Sequence, residues 1–263
     1  MAPLLSDSAS TNETPTPSTA SEPYEQDNLL DNLSDRDTLE VHYRHLADRE
    51  RELLARRLGV ASGDVLSVGC GNQPGRNLFP APAFRIVGVD PEPDHVAAAL
   101  SWGGADEAIV GEAGKLEFED ASFDVVLYRL VLHHIAYQGP LAPAFEEAAR
   151  LLRPGGAMVA TEPGLWHPVG AALAFANRMP RLATRIHGTP DDIPLSPRAL
   201  AREARAAGLV PELHAVTFTW RRMPAPVQRA LWGLDRHGSR PRLRPFGHHL
   251  MLIARKPLPG LGS

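Results

Sequence analysis

Apolar residues follow two different spacings along this chain, and the change of spacing divides it into segments. Between Arg36 and Leu58 they recur every three to four positions, which is typical of a helix with one buried face. The residues in this series are Leu39, Tyr43, Leu46, Leu53, Leu54 and Leu58. Gly59 and Gly63 follow at once, so the predicted helix ends there.

From Asp64 onward, short apolar runs typical of buried strands alternate with helical stretches. The predicted strands are Asp64–Val68, Ile86–Asp90, Glu107–Val110, Asp124–Tyr128 and Ala157–Thr161. Helices are predicted at His95–Trp102 and Leu141–Leu152. This alternation favours an α/β fold with a Rossmann-like, doubly wound parallel sheet, which binds ligands at the carboxyl ends of its strands.

The last third of the chain has a different pattern. Residues 164–194 show no clear strand, and we expect them to be partly helical. Ser196 and Pro197 are residue types that cap and begin helices, which predicts a helix ending near Gly208. An insertion rich in Arg and Pro covers residues 220–245. The remaining predictions are strands at Val210–Phe218 and His248–Ala254 and a short helix at Val227–Leu234.

Composition narrows the class of protein. The chain carries 27 Lys and Arg residues against 31 Asp and Glu, a net charge of −4, which disfavours nucleic-acid binding as its main task. Cys70 is the single cysteine, which excludes an intramolecular disulfide and a cysteine-rich zinc site. The sequence has neither an apolar run of about 18 residues nor a signal-peptide pattern, so we expect a cytoplasmic protein without a membrane segment.

The amino-terminal residues differ from the rest in composition. Residues 1–22 are rich in Ser, Thr, Pro and Ala, which offer little surface to bury and predict a disordered tail. We expect residues 23–263 to form one domain with an N-terminal helical extension and two insertions, at about 164–194 and 220–245.

A glycine-rich turn and a carboxylate follow the first two predicted strands. Gly69, Cys70 and Gly71 come directly after the first strand, and Asp90 ends the second. Glycine has no Cβ, so the chain can turn tightly and lie against a ligand. A carboxylate one strand later can accept hydrogen bonds from vicinal ribose hydroxyls. Together they predict a site for a nucleoside-like ligand.

Further motifs follow these two in order. They are Gly111-Glu112-Ala113 with Leu116–Phe118 and Ser122–Asp124, then Leu130–Ile135, and then Leu152–Gly156. Over about Val65 to Glu162 the chain resembles the class I S-adenosylmethionine-dependent methyltransferases, in particular the small-molecule, methyltransferase type 11-like group. The resemblance implies strand order 3-2-1-4-5-7-6 with strand 7 antiparallel. It also implies S-adenosyl-L-methionine as cofactor and S-adenosyl-L-homocysteine as product.

The resemblance implies a set of cofactor-binding residues. They are Gly69, Cys70, Gly71, Asn72, Asp90, Pro91, Glu112, Ala113 and Arg129. Tyr43 on the N-terminal helix is a further candidate to cover the cofactor, with packing in the core as the alternative, since an aromatic residue at helical spacing is more often buried there. Two features depart from the family's pattern. Ser67 stands where an acid often precedes the first glycine, and the loop at Asn72–Pro74 is longer than usual. Both changes concern contacts with the methionine end of the cofactor.

Paired histidines are the candidate catalytic groups, because neutral imidazole can take a proton near physiological pH. His133 best matches the base of plant-type O-methyltransferases, and His134 best matches a pocket histidine of cyclopropane-synthase-like relatives. The alternative is that either histidine only packs behind the site. Candidates for substrate contact after the fifth strand are Glu162, Trp166 and His167. We expect no metal site, since His248 and His249 would point to opposite faces of a strand.

Three functions are compatible with these residues. The first is methyl transfer to oxygen, nitrogen or carbon of a small-molecule substrate, in a setting such as specialised metabolism. The second is an RNA methyltransferase that uses the Arg-rich insertion, although the net charge makes nucleic acid an unlikely partner. The third is a non-catalytic, cofactor-binding regulatory subunit. We interpret the insertion first as a solvated loop or an oligomer contact, with a homodimer as one such assembly.

Overall fold

The computed structural model describes residues 36–114, 116–179, 181 and 193–260. The tail predicted at residues 1–22 lies outside them, and the segment 164–194 is described in part. The strands are β1 (Gly63–Val68), β2 (Phe84–Asp90), β3 (Glu107–Val110), β4 (Phe123–Arg129), β5 (Leu152–Pro163), β6 (Val210–Thr217) and β7 (His249–Arg255). The helices are α1 (Arg36–Arg57), α2 (Pro93–Ser101), α3 (Leu132–Gln138), α4 (Ala142–Leu151), α5 (Pro168–Ala176), α6 (Pro197–Ala206) and α7 (Ala225–Asp235), with a 3-10 turn at Arg244–Phe246.

The seven strands form one sheet in the order β3-β2-β1-β4-β5-β7-β6. Strands β1 to β5 pair in parallel, and β7 runs antiparallel to both β5 and β6. The predicted fold and strand order are therefore confirmed. Because β7 is reversed, its first residue, His249, pairs with Pro163 at the end of β5. The start of β7 thus lies at the same edge of the sheet as the carboxyl ends of the parallel strands.

Alternate residues of the central strands face opposite sides of the sheet, as the two-residue period of a strand requires. Leu66 and Val68 of β1 pack against one layer, which α4 and α6 cover with buried residues such as Phe145 and Leu200. Val65 faces the other layer, to which α1 contributes buried leucines at positions 46, 53 and 54, and Leu58 follows directly after the helix. Burying each such side chain stabilises the fold by about 1.5–3 kcal/mol. The helical period seen in the sequence is thus the buried face of α1.

The structure differs from the predicted elements in three places. Strand β5 begins at Leu152 and includes the Pro-Gly-Gly segment, which was expected to separate helix from strand. Helix α3 was not predicted, because seven residues give too short a periodic pattern. Ser196 caps α6 through its backbone alone: its side chain makes no capping hydrogen bond, and its carbonyl accepts from the Leu200 N–H at 3.0 Å.

Among the described residues, none of the helices combines the length and the apolar character needed to cross a membrane.

Candidate active site

The turn after β1 needs glycine at two positions, for different structural reasons. Gly69 and Gly71 adopt φ values of +62° and +50°, in the left-handed region that favours glycine. A Cβ on Gly69 would lie 2.7 Å from both methyl groups of Val131, so this glycine lets the turn pack against the chain after β4. A Cβ on Gly71 would meet nothing within 4 Å. Gly71 therefore faces open space.

Asp90 holds the same turn from the end of β2. Its carboxylate is buried, and Oδ2 accepts a hydrogen bond from the Gly71 N–H at 2.8 Å. Oδ1 accepts from the Glu92 N–H at 3.0 Å and lies 3.0 Å from Nδ1 of His95. Sequence reasoning missed His95, since a histidine five residues after an acid carries no motif. These contacts fix the predicted ribose acid beside the predicted glycine turn.

Cys70 lies between the two glycines with its thiol packed inward. Its backbone N–H donates to the Val89 carbonyl at 3.0 Å, and a Cβ on Gly88 would lie 2.9 Å from its sulfur. Burial, and secondarily the charge of Asp90, raises the pKa of the Cys70 thiol to about 12. The thiol is therefore protonated at neutral pH and is a poor nucleophile.

Glu162, at the end of β5, closes the start of α3. Its carboxylate is buried, and Oε1 accepts from the backbone N–H groups of Val131 and Leu132 at 3.0 and 2.8 Å. Oε2 lies 2.6 Å from Nδ1 of His133. A negative group at a helix N-terminus satisfies unpaired backbone donors and is favoured by the helix dipole. The sequence suggested Glu162 as a substrate contact, whereas in the structure its oxygens bind the chain itself.

The backbone before α3 is turned to make this contact. Leu130 has φ of +59°, a conformation that costs a non-glycine residue about 1–3 kcal/mol. Its N–H donates to the Thr161 carbonyl at 2.8 Å, which ties the turn to β5. The strain thus occurs where the chain leaves β4 and directs the amide groups of the next residues towards Glu162.

The two candidate catalytic histidines lie together on the first turn of α3. Their ring centroids are 4.1 Å apart with a tilt of 38°. His133 is buried and bonded to Glu162, while His134 is half-buried. The contact with Glu162 therefore gives the ring of His133 a fixed orientation.

Four further histidines assemble at the same edge of the sheet, over β5 and β7. The ring centroids of His42 and His249 are 6.0 Å apart, those of His249 and His248 are 4.7 Å apart, and those of His248 and His167 are 5.0 Å apart. Burial lowers the pKa of all four, that of His42 to about 4. They are therefore neutral at physiological pH.

This cluster corrects the expectation for the histidine pair near the last strand. His248 precedes β7 instead of lying within it, so its ring contacts that of His249 and does not point to the opposite face. Among the described residues, no group of three or more His, Cys, Asp or Glu side chains could hold a metal ion.

Helices α1 and α7 cover this cluster. His42 Nδ1 lies 2.9 Å from Oε1 of Gln228 on α7, and His45 Nε2 lies 2.7 Å from Oδ2 of Asp235. Tyr43 was predicted to contact the cofactor, and its hydroxyl accepts a hydrogen bond from Arg221 at 2.6 Å. The N-terminal helix is thus bonded to the Arg-rich insertion.

The remaining predicted residues have varied surroundings. The side chain of Arg129 forms a salt bridge of 3.0 Å with the buried Glu50 of α1. The Asn72 carbonyl accepts from the Trp102 indole at 2.9 Å. Pro91 and Glu112 are exposed, and Ala113 is half-buried against the core. His167 is buried and lies 3.2 Å from the Phe218 carbonyl, while Trp166 stacks with Arg198.

Comparison with known proteins agrees with this geometry. Residues 66–160, which contain the glycine turn, Asp90 and α3, match the family model described as a methyltransferase domain. Within that segment the chain is similar to the methyltransferase domain, and solved S-adenosylmethionine-dependent methyltransferases share its fold. The matched segment ends within β5, so β6, β7 and their insertions lie outside it.

Individual relatives match part of the chain. An uncharacterized methyltransferase of Mycobacterium marinum is 32% identical over 151 residues, 52% of this chain and 56% of its own length. The 27-O-demethylrifamycin SV methyltransferase of Amycolatopsis mediterranei is 35% identical over 127 residues, 45% of this chain and 44% of its own. The chain therefore matches about half the length of these curated relatives.

A solved structure covers more of the fold at lower identity. Geranyl diphosphate C-methyltransferase from Streptomyces coelicolor A3(2), in complex with Mg²⁺, geranyl diphosphate and S-adenosyl-L-homocysteine, aligns with a TM-score of 0.56. The alignment covers 85% of this chain and 86% of that one at 17% identity. At this identity the likeness concerns the fold.

Proposed function

We propose that this protein transfers the methyl group of S-adenosylmethionine to an oxygen, nitrogen or carbon atom of a small-molecule acceptor. The observation that carries the proposal is the bond between Glu162 and His133. This bond orients an imidazole on α3, which comes directly after β4. The glycine turn follows β1 and Asp90 ends β2. Because β2, β1 and β4 are adjacent parallel strands, these groups lie at the same edge of the sheet.

The residues of the turn fit the family's cofactor. Gly71 presents backbone without a Cβ to open space, and Asp90 engages at most three of the about four lone-pair sites of a carboxylate. One site remains for a ribose hydroxyl. When bound, S-adenosylmethionine supplies an electrophilic methyl group on a sulfonium, so the protein's task is alignment and proton removal.

His133 is the proposed base. A carboxylate accepts hydrogen bonds, so the contact with Glu162 places the imidazole proton on Nδ1 and leaves Nε2 to take a proton. For an acceptor X–H, a bond forms between X and the methyl carbon while the carbon–sulfur bond breaks. The X–H proton passes to Nε2 of His133, and Glu162 stabilises the imidazolium that results.

Two features support a small acceptor. Helices α1 and α7 are joined by the bonds His42–Gln228 and His45–Asp235 and cover this edge of the sheet. This cover restricts the access of a folded polymer to the site. The relative from Amycolatopsis mediterranei is named for methylation of a rifamycin, and the Streptomyces coelicolor neighbour for that of geranyl diphosphate. The substrate itself, and a role in specialised metabolism, are part of the proposal.

The test is a binding measurement followed by a turnover measurement. We expect calorimetry to show S-adenosylhomocysteine binding, and a panel of phenols, amines and carboxylic acids to yield a methylated product by mass spectrometry. If the protein bound neither S-adenosylmethionine nor S-adenosylhomocysteine, the proposal would be overturned. RNA methylation with an affinity that falls steeply with salt would replace the small acceptor by RNA.

A further inference from the structure

A groove beside α6 and β6 combines a mainly apolar half with an arginine half. Two cavities, of about 340 and 510 Å³, share Trp166 as a common wall. The larger is lined mainly by apolar side chains such as Leu165, Phe175 and Phe246, with Arg178 as its one charged residue, and the smaller by arginines of α6 and of the 3-10 turn. We call this continuous surface the Trp166 groove.

The apolar half exposes aromatic surface to solvent. Phe175 is 62% exposed and Phe246 is 47% exposed, and the rings of Trp166 and Phe246 have centroids 5.9 Å apart. Large apolar groups that remain exposed side by side in a concave surface mark a site for a ligand or partner. Trp166 itself is half-buried, so its ring forms the wall of the groove and does not project from it.

The other half carries positive charge alone. Arg198, Arg205 and Arg244 line it, and no acidic residue does so among the described residues. The guanidinium of Arg198 lies 4.9 Å from the centroid of the Trp166 ring. Within the described part of the chain neither Arg198 nor Arg244 forms a salt bridge, whereas Arg202 on the same helix pairs with Glu203. This polarity contrasts with the net charge of −4 of the chain.

We propose that the Trp166 groove binds a soluble anionic amphiphile, with an aryl or alkyl chain against the aromatic side chains and a phosphate or carboxylate between the arginines. Guanidinium groups bind both anions through paired hydrogen bonds, and stacking on Trp166 holds Arg198 in place for this. The cavity volumes lie in the range of about 300–1,000 Å³ that is usual for small-ligand sites.

The concave shape favours a single soluble molecule over a bilayer. A membrane-bound protein projects aromatic and basic side chains outward, whereas here the half-buried Trp166 lines both cavities and Pro197 and Pro241 line the arginine half beside it. The groove includes neither the glycine turn nor α3, and of the three candidates for substrate contact it includes Trp166.

The probe is 4-phenylbutyl phosphate, titrated into the full-length protein while tryptophan fluorescence and calorimetric heat are recorded. We expect saturable binding of this probe and similar binding of 5-phenylpentanoate. We expect the affinities of 4-phenylbutanol and of inorganic phosphate to be at least tenfold lower. The fluorescence change should disappear in Trp166→Phe, which separates Trp166 from the three other tryptophans.

The matched variants are Arg198→Ala with Arg244→Ala, and Arg202→Ala as control on the same helix. We expect the double variant Arg198→Ala/Arg244→Ala to lose at least tenfold in affinity and the control to lose none. Both variants should have the same unfolding temperature. Equal binding of the alcohol, or equal binding to the double variant, would overturn the proposal. So would tight binding of inorganic phosphate alone, or binding seen with phosphatidylglycerol vesicles but not with the monomeric probe.

Discussion

Oε2 of Glu162 lies 2.6 Å from Nδ1 of His133, and the same carboxylate receives the backbone N–H groups that begin α3. One side chain therefore fixes both the position of the helix and the orientation of the imidazole. Because the residues are 29 positions apart, β5 and α3 must come together before the pair exists. The orientation of the proposed base is thus a product of the fold.

Replacing Glu162 by Gln should separate positioning from folding. The amide keeps the shape of the carboxylate but has one accepting oxygen, where Glu162 offers two oxygens to the same donors. An N–H group of the amide will therefore oppose a backbone N–H. We expect unfolding to become easier by about 1–3 kcal/mol. We expect turnover to fall about 100-fold while S-adenosylhomocysteine affinity is retained.

The control for this variant is Glu146→Gln on the exposed side of α4. It removes the same charge and should leave turnover and stability unchanged. Equal turnover in Glu162→Gln and in the control would contradict a positioning role for this carboxylate.

Exchanging each histidine of α3 for Gln should distinguish the two candidates. His133→Gln removes the proposed base, so kcat should fall by about 10²–10⁴-fold for an oxygen acceptor. His134→Gln should cost less than tenfold, because Glu162 orients the ring of His133 as the proposed base. Single-turnover kinetics at saturating cofactor would measure both, and a larger loss in His134→Gln would reverse the assignment.

The sequence predicted the fold well for local reasons. The limits of β3 and the order of all seven strands followed from apolar runs, from glycine and proline signals and from the family's topology. The contacts of Glu162 with α3, of His42 with Gln228 and of Arg129 with Glu50 were not predictable. These partners are 31, 186 and 79 positions apart, and no periodicity relates them.

The same reason explains the error at the last strand. A one-residue shift in the start of β7 places His248 before the strand, and the ring then contacts His249. Strand limits inferred from apolar runs are uncertain by more than one residue, while side-chain direction changes at every residue. The cluster around His42 could therefore not be predicted from the sequence.

Gly71→Ala tests whether the open space at the turn is the cofactor site. The substitution places a methyl group into space with no neighbour within 4 Å, at φ of +50°. We expect a stability loss of about 1–2 kcal/mol from the left-handed backbone and at least a tenfold loss of S-adenosylhomocysteine affinity. Calorimetry and urea unfolding measure the two effects.

Gly59→Ala is the matched control, since Gly59 has φ of +73°, also open space around its Cβ, and lies at the end of α1. It should show a similar loss of stability with unchanged affinity. Were both variants to bind the nucleoside like the original protein, the open space at Gly71 would not be the cofactor site.

The histidine cluster should make stability depend on pH. Burial lowers the pKa of His42 from 6.5 to about 4, so the unfolded chain binds the proton first as pH falls. Stability from this group is full above pH 6.5 and decreases down to pH 4, by about 3 kcal/mol at most. The pKa values of His248 and His249 are lowered by burial too, so they act in the same direction.

Urea unfolding of His42→Gln at pH 7, 6 and 5 measures this contribution. We expect a smaller decrease of unfolding free energy with falling pH than in the original protein, but not its disappearance, because the other buried histidines remain. An unchanged slope in His42→Gln would mean that its imidazole is protonated without unfolding the cluster.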